Sequence, residues 1–295
     1  MTYTCAACGQ SAEDYVPECP GCGAHGTLRR LANLLASRPR STFLTGPAAE
    51  PKRISVGLET LDRAFGRNSD GTSGLVLGAV YLLHGGPGAG KSTLALHIGR
   101  ALGRAGLLVL GVSTEADEGM VLALHQRTSP TTGQSDLPVR YLFSRSLLDV
   151  LAELEETGAE ALVVDQLHSL MGSPKRNLAE LVAACKVRGA TLVCVAERNG
   201  AGTIRGERAI EHMDDCTVAL DRSWAGREDE SAAAVAQTIT PLEVERRIVS
   251  TSKNRWGPDG RWSLRLGATG WDEMPAVPTP AAPTPPAPPP ANDLN

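Results

Sequence analysis

Long apolar runs are missing from this chain of 295 residues. None approaches the roughly 20 residues that a helix needs to cross a bilayer. The opening "MTYTCAAC" has neither the charged start nor the apolar core of a secretion signal. The chain is therefore expected to be cytoplasmic, with no membrane partner. Excess charge of one sign is missing too: 29 basic residues stand against 33 acidic ones, a net −4. A surface so nearly balanced cannot hold nucleic acid by bulk charge, so such a partner must meet a local basic patch. There is no internal repeat, which excludes a solenoid or propeller. Seven cysteines in a reducing compartment are thiols or metal ligands rather than a disulfide framework.

What is present falls into three segments. A cysteine-bearing start runs to about residue 30, a large alternating body from about 52 to 273, and a tail follows. Between them, Arg29, Arg30, Arg38, Arg40, Lys52 and Arg53 stand with Glu50 as the single acid, either a solvated linker or a contact to phosphate backbone. In the tail, "PAVPTPAAPTPPAPPPA" has nine prolines in 17 residues and no charge, which reads as an extended spacer or a docking peptide. In the body, the runs "VYLLH", "LLVLGV", "ALVVD", "TLVCVA", "CTVAL" and "RRIVST" alternate with helical patterns such as "LLDVLAELEETG" and "NLAELVAACKVRG". Apolar strands alternating with helices predict an α/β fold whose mostly parallel sheet is covered on both faces.

One stretch carries chemistry by itself. Residues 85 to 93, "GGPGAGKST", fit the phosphate-loop pattern, with a strand before and an amphipathic helix after. Gly85, Gly86, Pro87, Gly88, Ala89 and Gly90 would turn backbone N–H groups onto phosphate oxygens at a helix N-terminus. Lys91 would neutralise the β and γ phosphates of ATP, while Ser92, followed by Thr93, would ligate Mg²⁺. Asp165 ends the strand "ALVVD" and is the expected second magnesium anchor. Glu115, at the end of "LLVLGVST", is the candidate that orients the attacking water, with Glu118 as the alternative.

The second pattern is Cys5-x2-Cys8, ten residues, then Cys19-x2-Cys22. Two knuckles of this kind close a tetrahedral Zn²⁺ site, and four thiolates leave no open position for water, so the zinc is structural. Cys185, Cys194 and Cys216 lie in apolar patterns and are expected in the core.

These features, with "ISVGLETLD", "VSTEADE", "LVVDQLHSL", "GERAIEHM" and "KNRWG" in that order, resemble the bacterial RadA (Sms) family of DNA-repair ATPases. The resemblance spans residues 1 to about 273. It implies a zinc ribbon over 1–30, a basic linker over 31–52, a RecA-like P-loop ATPase domain over 53–273 and a proline-rich tail over 274–295. It further implies a DNA-dependent ATPase that forms a hexameric ring, binds single-stranded or branched DNA, promotes branch migration, and works with a recombinase or helicase. Lys253 and Arg255 would reach the neighbouring subunit's nucleotide, and Arg198, Arg205 and Arg208 would contact DNA from a glycine-rich loop.

The chain also departs from the family. Glu197, Gly200 and Glu207 stand where the family has histidine, lysine and proline, Tyr15 and His25 where it has tryptophans, and the tail where it has a Lon-protease-like domain. A nucleotide-switched regulatory or scaffold ATPase of the KaiC-like kind is the alternative reading.

Overall fold

The structure, a computed structural model, describes residues 3–5, 7–8, 10–12, 16–26, 28–30, 49–129, 138–198, 212–222 and 245–275. Tyr15, Arg38, Arg40, Gly200, Arg205, Glu207, Arg208 and the proline-rich tail lie outside these residues. The chain divides into two compact units, residues 1–49 and 50–295.

The first unit pairs β1 (Tyr3–Cys5) antiparallel with both β2 (Ser11–Ala12) and β3 (Leu28–Arg30). Its described apolar cluster is Cys5 and Cys19, with Tyr3 and Ala12 packed against them. So small a core cannot offset the entropy of ordering the segment.

The second unit opens with β4 (Arg53–Ile54), α1 (Glu59–Phe65) and β5 (Leu75–Val76). The main sheet then takes β6 (Val80–Gly85), β7 (Val109–Ser113), β8 (Arg140–Phe143), β9 (Ala161–Asp165), β10 (Thr191–Glu197), β11 (Cys216–Arg222), β12 (Arg246–Asn254), β13 (Gly260–Gly267) and β14 (Gly270–Glu273). Its order is β14-β13-β12-β11-β6-β10-β9-β7-β8. Pairings from β11 to β8 are parallel, and β12 to β14 extend the sheet antiparallel. The helices are α2 (Lys91–Arg104), α3 (Glu118–Thr128), α4 (Leu147–Thr157) and α5 (Pro174–Arg188). This is the α/β, RecA-like core read from the sequence. The antiparallel extension was not anticipated.

Alternation along the strands explains their unbroken apolar runs. Tyr81, Leu83, Val193 and Val195 join Leu94, Ile98 and Leu102 of α2 in one core. Val80, Leu82, Leu192 and Cys194 join Leu154 of α4 and Leu178, Leu181 and Cys185 of α5 in the other. A strand covered on both sides has no polar position to spare, and each buried Leu or Val contributes about 1.5–3 kcal/mol. Helix boundaries follow local chemistry. Asp117, Ser146 and Ser173 accept bonds from Met120 N, Asp149 N and Arg176 N, and left-handed Gly158 and Gly189 end α4 and α5.

One reading of the basic linker is corrected. Arg53 is neither solvated nor free for phosphate: it is 9% exposed and bonds Asn68 Oδ1 (2.6 Å), Phe65 O (3.2 Å), Gly74 O (3.0 Å) and Trp256 O (2.7 Å). Three inward-facing carbonyls needed a donor with several N–H groups, and guanidinium supplies it. Among the described residues, no helix is long and apolar enough to cross a membrane.

Candidate nucleotide site and cysteine cluster

Strand register decides which side chains meet. Gly85 at the end of β6 is level with Glu197 of β10 and Leu220 of β11, and Asp165 at the end of β9 is level with Ser113 of β7. Because these strands are parallel, their carboxyl ends form one edge, the usual ligand edge of an open α/β sheet. Glu115 follows Ser113 by two residues, so the loop, Asp165 and Glu115 converge there.

The glycine loop leaves β6 and enters α2 at Gly90, which caps the helix at φ 95. Only glycine suits this position. A Cβ there would be strained by φ and would meet Leu266 and Trp271, and the Trp271 indole donates to Gly90 O at 3.2 Å. Lys91 is buried and donates to Gly85 O (3.1 Å) and Gly86 O (3.0 Å), across the mouth of its own loop. Burial lowers its pKa, opposed by Glu197, Asp165 and Glu115. Ser92 Oγ donates to Asp165 Oδ1 at 3.1 Å. Burial pushes the Asp165 carboxyl up to about 6, with Glu115 adding to the rise and the Ser92 bond and Lys91 opposing it. Hydroxyl and carboxylate, both oxygen donors and already adjacent, fit the hard divalent cation expected between them.

Glu115 accepts from Ser169 Oγ at 2.5 Å. His168 Nε2 lies 3.8 Å from Glu115 Oε1, just past β7, and 3.6 Å from Glu197 Oε2 at the end of β10. Glu118 opens α3 behind the Asp117 cap and is exposed, and among the described residues it has no hydrogen bond or ion pair to this cluster. Between Asp165 and His168, Gln166 takes φ 68. Both Gln166 O and Asp165 O accept from Thr114 Oγ1, at 3.1 and 3.0 Å. A non-glycine residue held left-handed next to Asp165 is stored strain.

His168, Ser169, Thr114, Gln166 and Arg222 are the neighbours that sequence reasoning missed. For Arg222 the packing is direct: a Cβ on Gly88 would collide with its Nη2. The only available signal was position, since "LVVDQLHSL" carries three of them just after the strand.

Lys253 and Arg255 are elsewhere. Lys253 is level with Thr217 and Leu82, and Arg255 N donates to Asp215 O, whose own N–H bonds Val80 O at the first residue of β6. At about 3.3 Å per strand residue, they stand roughly 10 and 16 Å below the level of Gly85. Lys253 Nζ pairs with Asp214 Oδ1 (2.7 Å), and Arg255 Nη1 with Asp215 Oδ1 (3.0 Å). Lys186 of α5 pairs with Asp215 Oδ2 at 2.7 Å. The rest of "KNRWG" is architectural, with Asn254 Nδ2 bonding Ala64 O and Trp256 O accepting from Arg53. The motif's cations thus face away from this chain's own phosphate loop.

Arg198 sits at the root of the glycine-rich loop, donating to Asp221 Oδ1 (2.7 Å) and His84 Nδ1 (2.9 Å). Burial, then Arg198 and Lys91, lower the His84 pKa to about 4, so His84 is a neutral acceptor.

In the first unit, the sulfurs of Cys5, Cys8, Cys19 and Cys22 lie within 4.8 Å of one another. Cys5–Cys22 is 3.8 Å and Cys8–Cys19 is 3.7 Å. A tetrahedral zinc with ~2.3 Å bonds separates its sulfurs by ~3.8 Å, so the set fits zinc. Ala7 N donates to Cys5 Sγ (3.3 Å) and Gly21 N to Cys19 Sγ (3.4 Å), the matching bonds of two knuckles. Cys185, Cys194 and Cys216 are fully buried in the second unit, as expected.

No family model matches the chain. Curated proteins do. It is 29% identical to a DNA repair protein RadA of Mycobacterium tuberculosis over 250 residues, covering 76% of this chain and 50% of that protein. A DNA repair protein RadA of Aquifex aeolicus is 27% identical over 296 residues, covering 92% and 59%, and one of Escherichia coli 26% over 247 residues, covering 74% and 51%. The chain is therefore a relative of the bacterial RadA proteins, and it spans about half the length of the relatives it matches.

Proposed function

We propose that this RadA relative is a DNA-repair ATPase in which ATP binds the glycine loop and its hydrolysis is governed by DNA and by a neighbouring subunit. The observation that carries this is the convergence of Lys91, the Ser92–Asp165 pair and Glu115 at one sheet edge. Backbone N–H groups of residues 85–93 and Lys91 hold the phosphates. Lys91 exchanges its two carbonyl acceptors for phosphate oxygens, a gain because a buried cation then meets charge instead of dipoles. Ser92 and Asp165 hold Mg²⁺, which when bound neutralises phosphate charge. Glu115 keeps one oxygen on Ser169 and turns the other to the water that attacks the γ-phosphorus. The bond from that phosphorus to the bridging oxygen breaks, ADP leaves, and the water's proton passes toward the carboxylate. His168 orients Glu115, and Arg222, lying on Gly88, adds a second cation in cis.

Lys253 and Arg255 cannot serve their own loop from the opposite edge, which supports a role at a neighbour's nucleotide in a ring. Arg198, Arg205 and Arg208 contact single-stranded or branched DNA, and the zinc knuckles hold the first unit. One observation favours the KaiC-like scaffold reading: Arg198 is already paired with Asp221.

The test is turnover with and without single-stranded DNA. Glu115→Gln should bind ATP and lose hydrolysis, while Lys91→Ala should lose both. A Glu115→Gln protein that hydrolyses normally would move the water-orienting role to Glu118. Elemental analysis should find about one zinc per chain; zinc-free reduced protein would refute the ribbon.

A further inference from the structure

Along α2, beyond the phosphate loop, three basic side chains share one stripe: His97, Arg100 and Arg104. They line a cavity of about 370 Å³ with Thr128, Trp271 and Asp272, within the roughly 300–1,000 Å³ of small-molecule sites. Two features set it apart from an ordinary basic surface. Arg100 is 3% exposed, yet among the described residues no carboxylate forms an ion pair with it. Among the described residues its Nη1 reaches only hydroxyls, Thr128 Oγ1 at 3.0 Å and Ser129 Oγ at 3.4 Å, and its Nε has no partner. Arg104, one turn on, also lacks a described acidic partner. Asp272 is turned to Arg265 at 3.3 Å and is largely exposed.

Like charges at i and i+4 repel, and a buried guanidinium short of partners is expensive. The negative end of α3, where Thr128 sits, offsets part of this. A second negative charge is what the geometry lacks. His97, by contrast, is settled: Nε2 bonds Val56 O at 2.7 Å.

We infer that this cavity is a second ligand site, distinct from the phosphate loop, which binds a small phosphorylated molecule with its phosphate between Arg100 and Arg104. Arg pairs suit phosphate because their N–H forks match its oxygens. Trp271 and Ala101 wall the remainder for an apolar body. Because Arg100 lies recessed, a nucleic-acid backbone cannot deliver its phosphate there, and the ligand is a small molecule. The inference does not rest on the nucleotide reading above.

The probe is inorganic phosphate, titrated into full-length Lys91→Ala protein so that the loop's own oxyanion site is weakened. Binding should appear with Kd of about 1 mM or tighter. Arg104→Glu, an exposed and fold-neutral change, should weaken it at least about tenfold, the equivalent of one charge-assisted contact. Arg100→Gln, checked for native circular dichroism, should abolish it. Phosphate binding that is absent, or unchanged by Arg104→Glu, overturns the inference. So does displacement of phosphate by a short single-stranded oligonucleotide, which would assign the groups to a nucleic-acid backbone.

Discussion

The two edges of the main sheet are built from similar residues to opposite effect. At the amino edge, Asp214 and Asp215 are buried, and each has a cation 3.0 Å away or closer. At the carboxyl edge, Asp165 has a hydroxyl instead of a cation and Lys91 has carbonyls instead of acids, and among the described residues Gln166 Oε1 and His168 Nδ1 have no partner. Burial raises both Asp165 and Asp214, but only the latter has a direct salt bridge to oppose it. The difference teaches that folding pairs the charges of one edge with one another and leaves those of the other on neutral partners, as the proposed ligand site requires.

The sharpest way to break this contrast is Asp165→Asn. Turnover should fall on the order of 10³-fold if, as proposed, this carboxylate holds magnesium. Stability without nucleotide should move the other way. The folded carboxyl titrates at about 6, above the ordinary ~3.9, so the stabilising proton is present below pH ~4 and lost as pH rises through 6. Asparagine has no such loss. At pH 8 the variant should be more stable by on the order of 1–3 kcal/mol, narrowing to nothing near pH 4, by urea denaturation. Equal stability at pH 8 would mean the carboxyl edge is not strained by this acid.

A comparable effect joins the two edges across subunits. Lys91→Ala and Arg255→Ala proteins should each be inactive, yet a mixture that exchanges subunits should regain turnover above their mean, because a cation supplied in trans is worth on the order of 10³-fold. No gain would leave "KNRWG" with only its structural role.

At the amino edge, Asp214→Ala should destabilise by about 2 kcal/mol. That is below the ~3–5 of a fully buried pair, because Lys253 remains partly exposed and can rehydrate. The smallest effect belongs to Gln166→Gly. Relief of the left-handed backbone should outweigh glycine's entropy, for a gain of about 1 kcal/mol. A loss would remove Gln166 from the strained group.

Residues whose chemistry is local were legible. The glycine loop, Asp165 at the end of an apolar strand, Glu115 and the four cysteines all announce themselves within a few neighbours, and the structure brings Lys91, Ser92, Asp165 and Glu115 to one edge. What could not be read depends on register between distant strands: His168 bridging Glu115 and Glu197, Arg222 against Gly88, and the acids that hold Lys253 and Arg255. Arg53 was misread for the same reason, since its acceptors come from positions 65 to 256. β8, half-exposed, and β13 and β14, which form an edge hairpin, lack the unbroken apolar runs that marked the central strands.

Strand β6 lies between β10 and β11, and this has a consequence for biosynthesis. Val80 pairs with Leu192, and Leu83 with Val218, so the strand that carries the phosphate loop leaves the ribosome long before either flank exists. At 5–20 residues per second, the wait is roughly 5–20 s. During that time both its apolar faces and both its hydrogen-bonding edges are open, the condition in which nascent chains aggregate or recruit chaperones. The strand that carries the glycine loop is thus the oldest part of the sheet and waits longest for its neighbours, and its half-made form is the molecule's most vulnerable state.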